Sequence, residues 1–262
     1  MYEELYLPLP DKDAYLARIG LAGAALKADL TSLNRLLTAH LATVPFENLD
    51  VLYGGLCPDL GVPALFDKIV TRRRGGYCFE LNGLFFRLLE ALGFEATPIA
   101  VRIQMGRTER MPFTHRASLV KLDGQEYYCD VGFGAVPFPN AIPLDGSETP
   151  DGFRFELVDG EQRLYKKKGE TWQEQLRFTP RGVDPVDYIM PNFYTSGNPN
   201  SMFRQVLSVS VLRGGVRKQL ADMRLREYDG QTVLREQSIE TPAELKELLR
   251  DEFGLDYAVP GA

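Results

Sequence analysis

The stretch Arg74-Gly75-Gly76-Tyr77-Cys78-Phe79-Glu80 places a cysteine where a pair of glycines gives way to a strongly amphipathic helix. Leucine or phenylalanine then recurs at positions 81, 84, 85, 88, 89 and 92, which is the spacing of one helix face. Gly93 is a typical residue for ending such a helix. Cys78 is therefore predicted in the first turn, where free backbone N–H groups and the helix dipole favour a thiolate. This setting favours a nucleophile over a core cysteine.

A cysteine nucleophile usually needs a histidine that takes its proton and a third group that orients the imidazole. The chain has only two histidines, His40 and His115. His40 recurs at helical spacing with the leucines of residues 33–41, so we expect a packed, hydrogen-bonded core histidine. His115 lies on the first strand of a hairpin that Asp123-Gly124 closes, a strong signal for a two-residue turn. His115 is thus the candidate base.

The turn predicts the register of that hairpin. Because a two-residue turn pairs Leu122 with Gln125, the ladder carried onward places His115 opposite Gly132. Asp130 then lies diagonal to His115 on the same face, within reach of an imidazole–carboxylate hydrogen bond. Gly132 would leave the imidazole open on its far side. The alternative is an exposed strand pair without function, and the aspartate beside the one histidine outside a predicted core argues against it.

Composition and charge argue against several classes of function. The chain has 262 residues, 44% of them hydrophobic, and a net charge of −6, so nothing suggests a nucleic-acid or membrane-surface binder. We expect neither a leader segment nor a membrane-spanning run. The basic run Arg72-Arg73-Arg74 is interpreted as solvated or salt-bridged, with a weaker alternative of contact with an anionic thioester donor.

The cysteines indicate free thiols. Their number, three, is odd and their spacing does not suit a metal, so we expect no metal site and a reducing, cytoplasmic setting. Cys129 adjoins Asp130 on the predicted strand, must point the other way into the sheet interior, and is interpreted as structural. Cys57 is interpreted as a loop thiol.

The remaining pattern is helical first and extended later, which predicts an α+β fold. Thr31 or Ser32 is the expected N-cap of the His40 helix, and Thr241-Pro242-Ala243-Glu244 is a capping box for a last helix. Further helices are predicted near 15–19 and 63–70. Strands are predicted over 97–103, 114–122, 125–131, 153–158, 163–167, 205–213, 223–228 and 232–238. No element is predicted in the proline- and asparagine-rich passage 180–202.

Together these motifs resemble those of the arylamine N-acetyltransferases. The segment from Arg74 to Gly83 is similar to the nucleophile motif of that family, and residues 44–49 (Val-Pro-Phe-Glu-Asn-Leu) to its preceding loop. Thr114-His115 and Asp130-Val131-Gly132-Phe133-Gly134 are similar to its histidine and aspartate segments. A weaker downstream likeness rests on Asp187, Asn192, Pro199, Ser201 and Phe203.

The resemblance implies an N-terminal helical bundle over 1–93, a central β-barrel over 94–202 and a C-terminal α/β lid over 203–262. The core would be similar to that of papain-like and transglutaminase-like enzymes. It implies ping-pong N-acetyl and O-acetyl transfer from acetyl-CoA to arylamines, arylhydrazines or arylhydroxylamines by Cys78, His115 and Asp130. Phe46, Phe133 and Gly134, next to or within these motifs, are candidates for the aromatic acceptor slot, with core packing as the alternative for the two phenylalanines. No bound cofactor, metal, nucleic acid or membrane is expected, and the protein would be a monomer or homodimer.

Three alternatives stay open. A cysteine hydrolase, either a peptidase or an amidase, would use the same three residues and differ only in whether water or an amine deacylates the enzyme. An amide synthase of natural-product assembly would differ in its acyl donor. A non-catalytic binding domain would keep the fold but is expected to lose one of the three residues, and all three are present.

Overall fold

The N-terminal part of the chain is helical. The computed structural model describes residues 2–262. A 3₁₀ turn (Glu3–Tyr6) precedes its helices, a two-residue strand β1 (Phe46–Glu47) interrupts them, and a π-helical turn (Asp67–Thr71) extends α4. The helices are α1 (Lys12–Arg18), α2 (Leu30–Thr43), α3 (Leu49–Leu52), α4 (Val62–Phe66) and α5 (Cys78–Ala91). The expected N-cap of α2 is wrong, because Asp29 caps this helix by accepting a hydrogen bond from the Ser32 N–H.

A seven-stranded antiparallel sheet forms the centre of the part that the structure describes. Its strands are β2 (Glu95–Ile103), β3 (Phe113–Leu122), β4 (Gln125–Cys129), β5 (Ile142–Pro143), β6 (Phe153–Val158), β7 (Glu161–Lys168) and β8 (Thr171–Phe178). Their order is β5-β4-β3-β2-β8-β7-β6, and the edge strands β5 and β6 lie close together, so the sheet is nearly a closed barrel. The predicted pairing of Leu122 with Gln125 is confirmed.

A second antiparallel sheet carries the C-terminal part. The elements that lead into it are a 3₁₀ turn (Pro185–Tyr188), α6 (Ile189–Gly197) and α7 (Met202–Gln205), in the passage where no element was predicted. Its strands are β9 (Ser208–Arg213), β10 (Val216–Ala221), β11 (Arg224–Asp229) and β12 (Thr232–Ser238), and α8 (Pro242–Phe253) follows. Strand β1, from the N-terminal part of the chain, pairs with β9 and is therefore one edge strand of this sheet.

Apolar side chains form separate cores in the helical part, the barrel and the C-terminal sheet. Helix α5 contributes Leu81, Leu84 and Leu88 to the helical core, and none of the three is exposed to solvent. It also packs directly on β3, which brings the start of α5 against the strand that carries the candidate histidine. The α+β fold class is confirmed, whereas the domain boundaries after residues 93 and 202 stay a prediction.

Candidate active site

The first turn of α5 is fixed by the two glycines and Glu80. A side-chain oxygen of Glu80 accepts a hydrogen bond from the Tyr77 N–H at 3.0 Å, which satisfies a donor that the helix itself leaves free. A Cβ atom at Gly76 would lie 2.9 Å from the Glu80 Cβ, and one at Gly75 would lie 2.1 Å from the Pro45 carbonyl oxygen. Glycine is therefore required where these groups approach, and Cys78 begins the helix.

Buried ion pairs surround this turn. Lys68 contacts Glu80 and Asp50, each at 2.7 Å, and Arg74 contacts Glu47 at 2.6 Å. Burial raises the pKa of Glu80 while the Lys68 ammonium opposes the shift. Arg74 is mostly buried in its ion pair, and Arg72 contacts Asp67, so the salt-bridged interpretation of the basic run holds for both.

The structure brings His115 and Asp130 together. Nε2 of His115 lies 2.6 Å from Oδ2 of Asp130, and both side chains are almost completely buried. The β4 strand ends earlier than predicted, at Cys129, because the Val131 and Gly132 N–H groups bond to side chains and not to β3. Asp130 is therefore just beyond the ladder, yet it stays on the face that the register predicted.

The aspartate is held at both of its oxygens. Oδ1 accepts hydrogen bonds from the Asn82 amide at 2.7 Å and the Gly132 N–H at 2.8 Å. Oδ2 accepts one from the Tyr128 hydroxyl at 2.7 Å besides its contact with His115. Although burial opposes the charged form, His115, Asn82 and Tyr128 hold the pKa of Asp130 below its usual value.

The imidazole of His115 is strongly basic. Burial lowers its pKa, but attraction to the Asp130 carboxylate and to the Cys78 sulfur outweighs burial and raises the pKa to about 10. Because Asp130 takes Nε2, Nδ1 is the ring nitrogen left for the sulfur. Cys78 Sγ itself lies 3.8 Å from the Thr114 carbonyl oxygen, immediately before His115. The arrangement suits a histidine that exchanges a proton with the Cys78 sulfur.

Gly132 has a different neighbour from the one expected. A Cβ atom there would lie 2.7 Å from the Cys78 Cα and 2.8 Å from Nδ2 of Asn82. The space that was predicted to be open beside His115 is thus filled by the backbone of the nucleophile helix. The missing side chain is what allows α5 and the end of β4 to meet.

The three candidate substrate-binding residues lie together. Phe46, Phe133 and Gly134 line one small cavity of about 20 Å³, and both rings are largely buried. Phe133 meets the His115 ring edge-on with centroids 5.5 Å apart. A cavity of this size holds about one water molecule, so an aromatic ring would enter only if these side chains moved. Their role in binding stays a prediction.

A much larger cleft of about 890 Å³ borders His115 on the side of α6. Its lining is mostly apolar and includes Phe113, Tyr188, Met190 and Tyr194. Sequence reasoning missed the residues of α6, although Met190, Phe193 and Tyr194 have the i, i+3, i+4 spacing of a helix face. The volume is within the range of sites that bind small organic molecules.

The other predicted residues lie away from this cleft. His40 is fully buried in the helical core, as expected, but neither ring nitrogen has a hydrogen-bond partner within residues 2–262, so the expected hydrogen bonding is wrong. Cys129 is buried, as expected, but it belongs to the helical core and not to the barrel interior. Cys57 is exposed, and its sulfur accepts a hydrogen bond from Asn192.

Two features are absent from the described chain. Among residues 2–262, no cluster of three or more His, Cys, Asp or Glu side chains has a geometry that could hold a metal ion. Over the same range, none of the helices combines the length and hydropathy needed to cross a membrane.

The site thus combines a cysteine at a helix start with a buried histidine–aspartate pair. A sequence model of the N-acetyltransferase family matches residues 29–260. The chain therefore belongs to the N-acetyltransferase family, a family of acyltransferases.

Named relatives agree with this assignment. An arylamine N-acetyltransferase of Mycolicibacterium smegmatis is 33% identical over 94% of this chain and 92% of its own length. A Salmonella typhimurium protein named arylamine N-acetyltransferase / N-hydroxyarylamine O-acetyltransferase is 32% identical, over 86% of this chain and 82% of its own. The structure of Mycobacterium marinum arylamine N-acetyltransferase in complex with CoA is similar with a TM-score of 0.86 and 29% identity, covering 94% of this chain and 93% of that one.

Proposed function

We propose that this protein transfers an acetyl group from acetyl-CoA to arylamines, arylhydrazines and arylhydroxylamines through an acetylated Cys78. The observation that carries the proposal is the 2.6 Å contact of His115 with Asp130 next to the first turn of α5. Family membership and the CoA complex of a structural neighbour support the choice of donor. The cleft of about 890 Å³ beside His115 supports an organic acceptor.

The reaction divides into two transfers. In the first, Cys78 gives its proton to His115, and the thiolate attacks the carbonyl carbon of the acetyl thioester. Backbone N–H groups at the start of α5 stabilise the negative oxygen of the tetrahedral intermediate. The bond to the CoA sulfur then breaks, His115 returns the proton to the leaving thiolate, and acetyl-Cys78 remains.

In the second transfer the acceptor nitrogen attacks acetyl-Cys78 from the cleft that His115 borders. His115 takes the proton that the nitrogen loses, and the bond between the acetyl carbon and the sulfur breaks. An aromatic amine is neutral at pH 7 and needs no prior deprotonation. The apolar lining of the cleft, from Phe113 to Tyr194, suits an aromatic ring. Phe46, Phe133 and Gly134, which line the small separate cavity, would add to this slot only if the two phenylalanine side chains moved, and Phe133 already meets the His115 ring edge-on.

We also propose a cytoplasmic setting, in which the enzyme acts on foreign aromatic amines. All three cysteines are free thiols, which suits a reducing compartment. A nucleophile that must stay reduced to work would be inactivated by disulfide formation, so the same compartment suits the proposed chemistry.

Mass spectrometry of the protein incubated with acetyl-CoA alone tests the proposal. We expect one acetyl adduct on Cys78, absent from Cys78→Ala and kept in Cys57→Ser, whose thiol is the exposed one. Addition of an arylamine should discharge the adduct and yield the N-acetyl product. An unmodified Cys78 in folded protein would contradict the proposal, and equally fast discharge by water alone would favour a hydrolase.

A further inference from the structure

We propose that Asn82 is a positioning residue that locks the Asp130 carboxylate to the nucleophile helix. The inference rests on the proposed function, because it concerns the geometry of the same site. Asn82 lies four residues after Cys78, so the two side chains share one face of α5. It is almost completely buried, with a relative exposure of 2%.

The amide of Asn82 donates two hydrogen bonds to, and accepts one from, the β3–β4 hairpin and the residues just after it. Nδ2 donates to the Asp130 carboxylate at 2.7 Å and to the Arg116 carbonyl oxygen at 2.6 Å. Oδ1 accepts from the Val131 N–H at 2.9 Å. Arg116 directly follows His115, and Val131 directly follows Asp130. One side chain on the helix that begins with Cys78 therefore holds the backbone next to His115 on β3 and next to Asp130 just after β4.

The hydrogen bond to Asp130 also decides which carboxylate oxygen faces the imidazole. Asn82 and the Gly132 N–H occupy Oδ1, which leaves Oδ2 for His115 and the Tyr128 hydroxyl. Without the amide, Oδ1 keeps only the Gly132 N–H as a donor, and the orientation of the carboxylate is less tightly fixed. Rotation would turn the imidazole away from the sulfur, and displacements of about 1 Å cost roughly 10²-fold in rate.

Titratable and charged groups surround this site on each element that packs against it. They are Tyr77 and Cys78 from α5 and its N-cap, His115 and Arg116 from β3, Tyr128 and Cys129 from β4 with Asp130 after it, and Tyr188 beneath Arg116. Asn82 differs from all of them because an amide does not titrate. A substitution that makes this position titratable therefore adds a pH dependence of its own.

The substitution Asn82→Asp keeps the shape of the side chain and supplies that titration. Two carboxyl groups this close ionise in two separate steps, so they share one proton until the pH is high enough to remove it. While that proton is present, the new carboxyl group donates to Asp130 as the amide did. When it leaves at higher pH, the donor is lost and a second negative charge faces Asp130. We expect the variant to lose transfer progressively as the pH rises.

The readout is the rate of acetylation of Cys78 by acetyl-CoA in the full-length protein between pH 5.5 and 9. We expect the ratio of variant to wild-type rate to fall roughly tenfold or more across this range. The loss should lie in the acetylation rate at saturating acetyl-CoA, with the half-saturating concentration of acetyl-CoA little changed, because Asn82 has no place in the cleft lining. Asn82→Ala should be slower than wild type at every pH.

Asn48 provides a matched control. Its Nδ2 donates to the carbonyl oxygens of Phe203 and Val206, its Oδ1 accepts from the Ser208 N–H, and its relative exposure is also 2%. It thus has the same bonding pattern without a contact to Asp130. Asn48→Asp should lower thermal stability, while the ratio of its rate to that of the wild type stays flat with pH.

The outcomes separate the two proposals. If the wild type acquires no acetyl group on Cys78, the proposed function is wrong. If the wild type is acetylated but the Asn82→Asp ratio is as flat with pH as that of the Asn48 variant, Asn82 is an ordinary fold-stabilising amide and the inference is overturned. If Asn82→Ala does not fold, the isosteric Asn82→Asp variant still shows whether Asn82 positions Asp130 or only stabilises the fold.

Discussion

The two histidines of this chain are both buried, yet their surroundings give them opposite chemistry. His40 lies in the helical core, stacked on Phe85 with ring centroids 5.4 Å apart and edge-on to Tyr15. Burial, with a smaller repulsion from Arg18, lowers its pKa to about 3. His115 is held by Asp130 next to Cys78, and its pKa is raised to about 10 although burial opposes this. Burial alone therefore does not make a base.

What separates the two sites is a fixed negative partner. Around His40 the structure provides aromatic faces and a guanidinium, so the neutral ring is favoured. Around His115 it provides a carboxylate whose other oxygen is already held by Asn82 and Gly132. Rings of equal acidity in water become an inert core residue and a proton acceptor because only one of them meets an oriented anion.

The largest expected effect of this difference is on catalysis. His115→Ala should lower the rate of acetyl transfer by about 10³-fold or more, because His115 is the base that the geometry offers to the Cys78 sulfur. His40→Phe should leave the rate within about threefold of wild type, since its ring nitrogens have no role in the proposed chemistry. Steady-state kinetics with acetyl-CoA and an arylamine, on variants shown to be folded by circular dichroism, give both numbers. A folded His40 variant that is the slower of the two would reverse the assignment.

Much of this contrast is predictable from the sequence, because the signals are local. The helical repeat after Cys78 predicted α5, and Asp123-Gly124 predicted the register that brings His115 to Asp130. The leucines around His40 predicted its burial. Each of these depends on residues that are neighbours in the chain or across one tight turn.

The rest depends on contacts between distant segments. The missing hydrogen bonds of His40 follow from which side chains α5 brings against α2. The early end of β4 follows from Asn82, which captures the Val131 N–H from another element. Strands β8 and β10 were not predicted, because they are rich in polar residues and show no clear alternation of apolar and polar positions. Helix α6 was not predicted, because Pro191 and Asn192 disfavour a helix. Docking of elements, not local pattern, decides these features.

The next effect in size is on titration, and it has opposite sign at the two histidines. His115, with a raised pKa, stabilises the folded state fully below about pH 6.5 and loses that contribution as the pH rises to about 10. His40, with a lowered pKa, favours folding above about pH 6.5 and loses that contribution as the pH falls toward 3. The histidine Cε1–H signals in NMR should therefore titrate at opposite ends of the pH scale.

Urea unfolding measures the acid half of this prediction. Between pH 7 and pH 4 the wild type should lose on the order of 3 kcal/mol more stability than His40→Phe, because the variant has no imidazole to protonate on unfolding. Carboxylates contribute equally to both proteins and cancel in the difference. Parallel stability curves for the two proteins would mean that His40 is not held neutral by burial.

A smaller effect is expected from the close packing of Gly132 against Cys78 beside His115, which an exposed glycine does not have. Gly132→Ala would place a methyl group 2.7 Å from the Cys78 Cα, so α5 must move away from Asp130. We expect about a 10²-fold loss of transfer rate from such a displacement. Gly197→Ala is the matched control, because its methyl group would meet only the Phe193 ring at 3.9 Å. Equal activity of both variants would show that the site tolerates a looser contact.

The smallest effect is expected in the helical core at neutral pH. His40→Phe removes two buried nitrogens that have no hydrogen-bond partner among the described residues, which relieves a desolvation cost of roughly 1–3 kcal/mol. The larger ring costs a similar amount in packing against Phe85 and Tyr15. The two contributions offset, so the free energy of unfolding at pH 7 should change by less than about 1 kcal/mol. A loss of several kcal/mol would mean that His40 is hydrogen-bonded in solution, and the contrast between the two histidines would then rest on Asp130 alone.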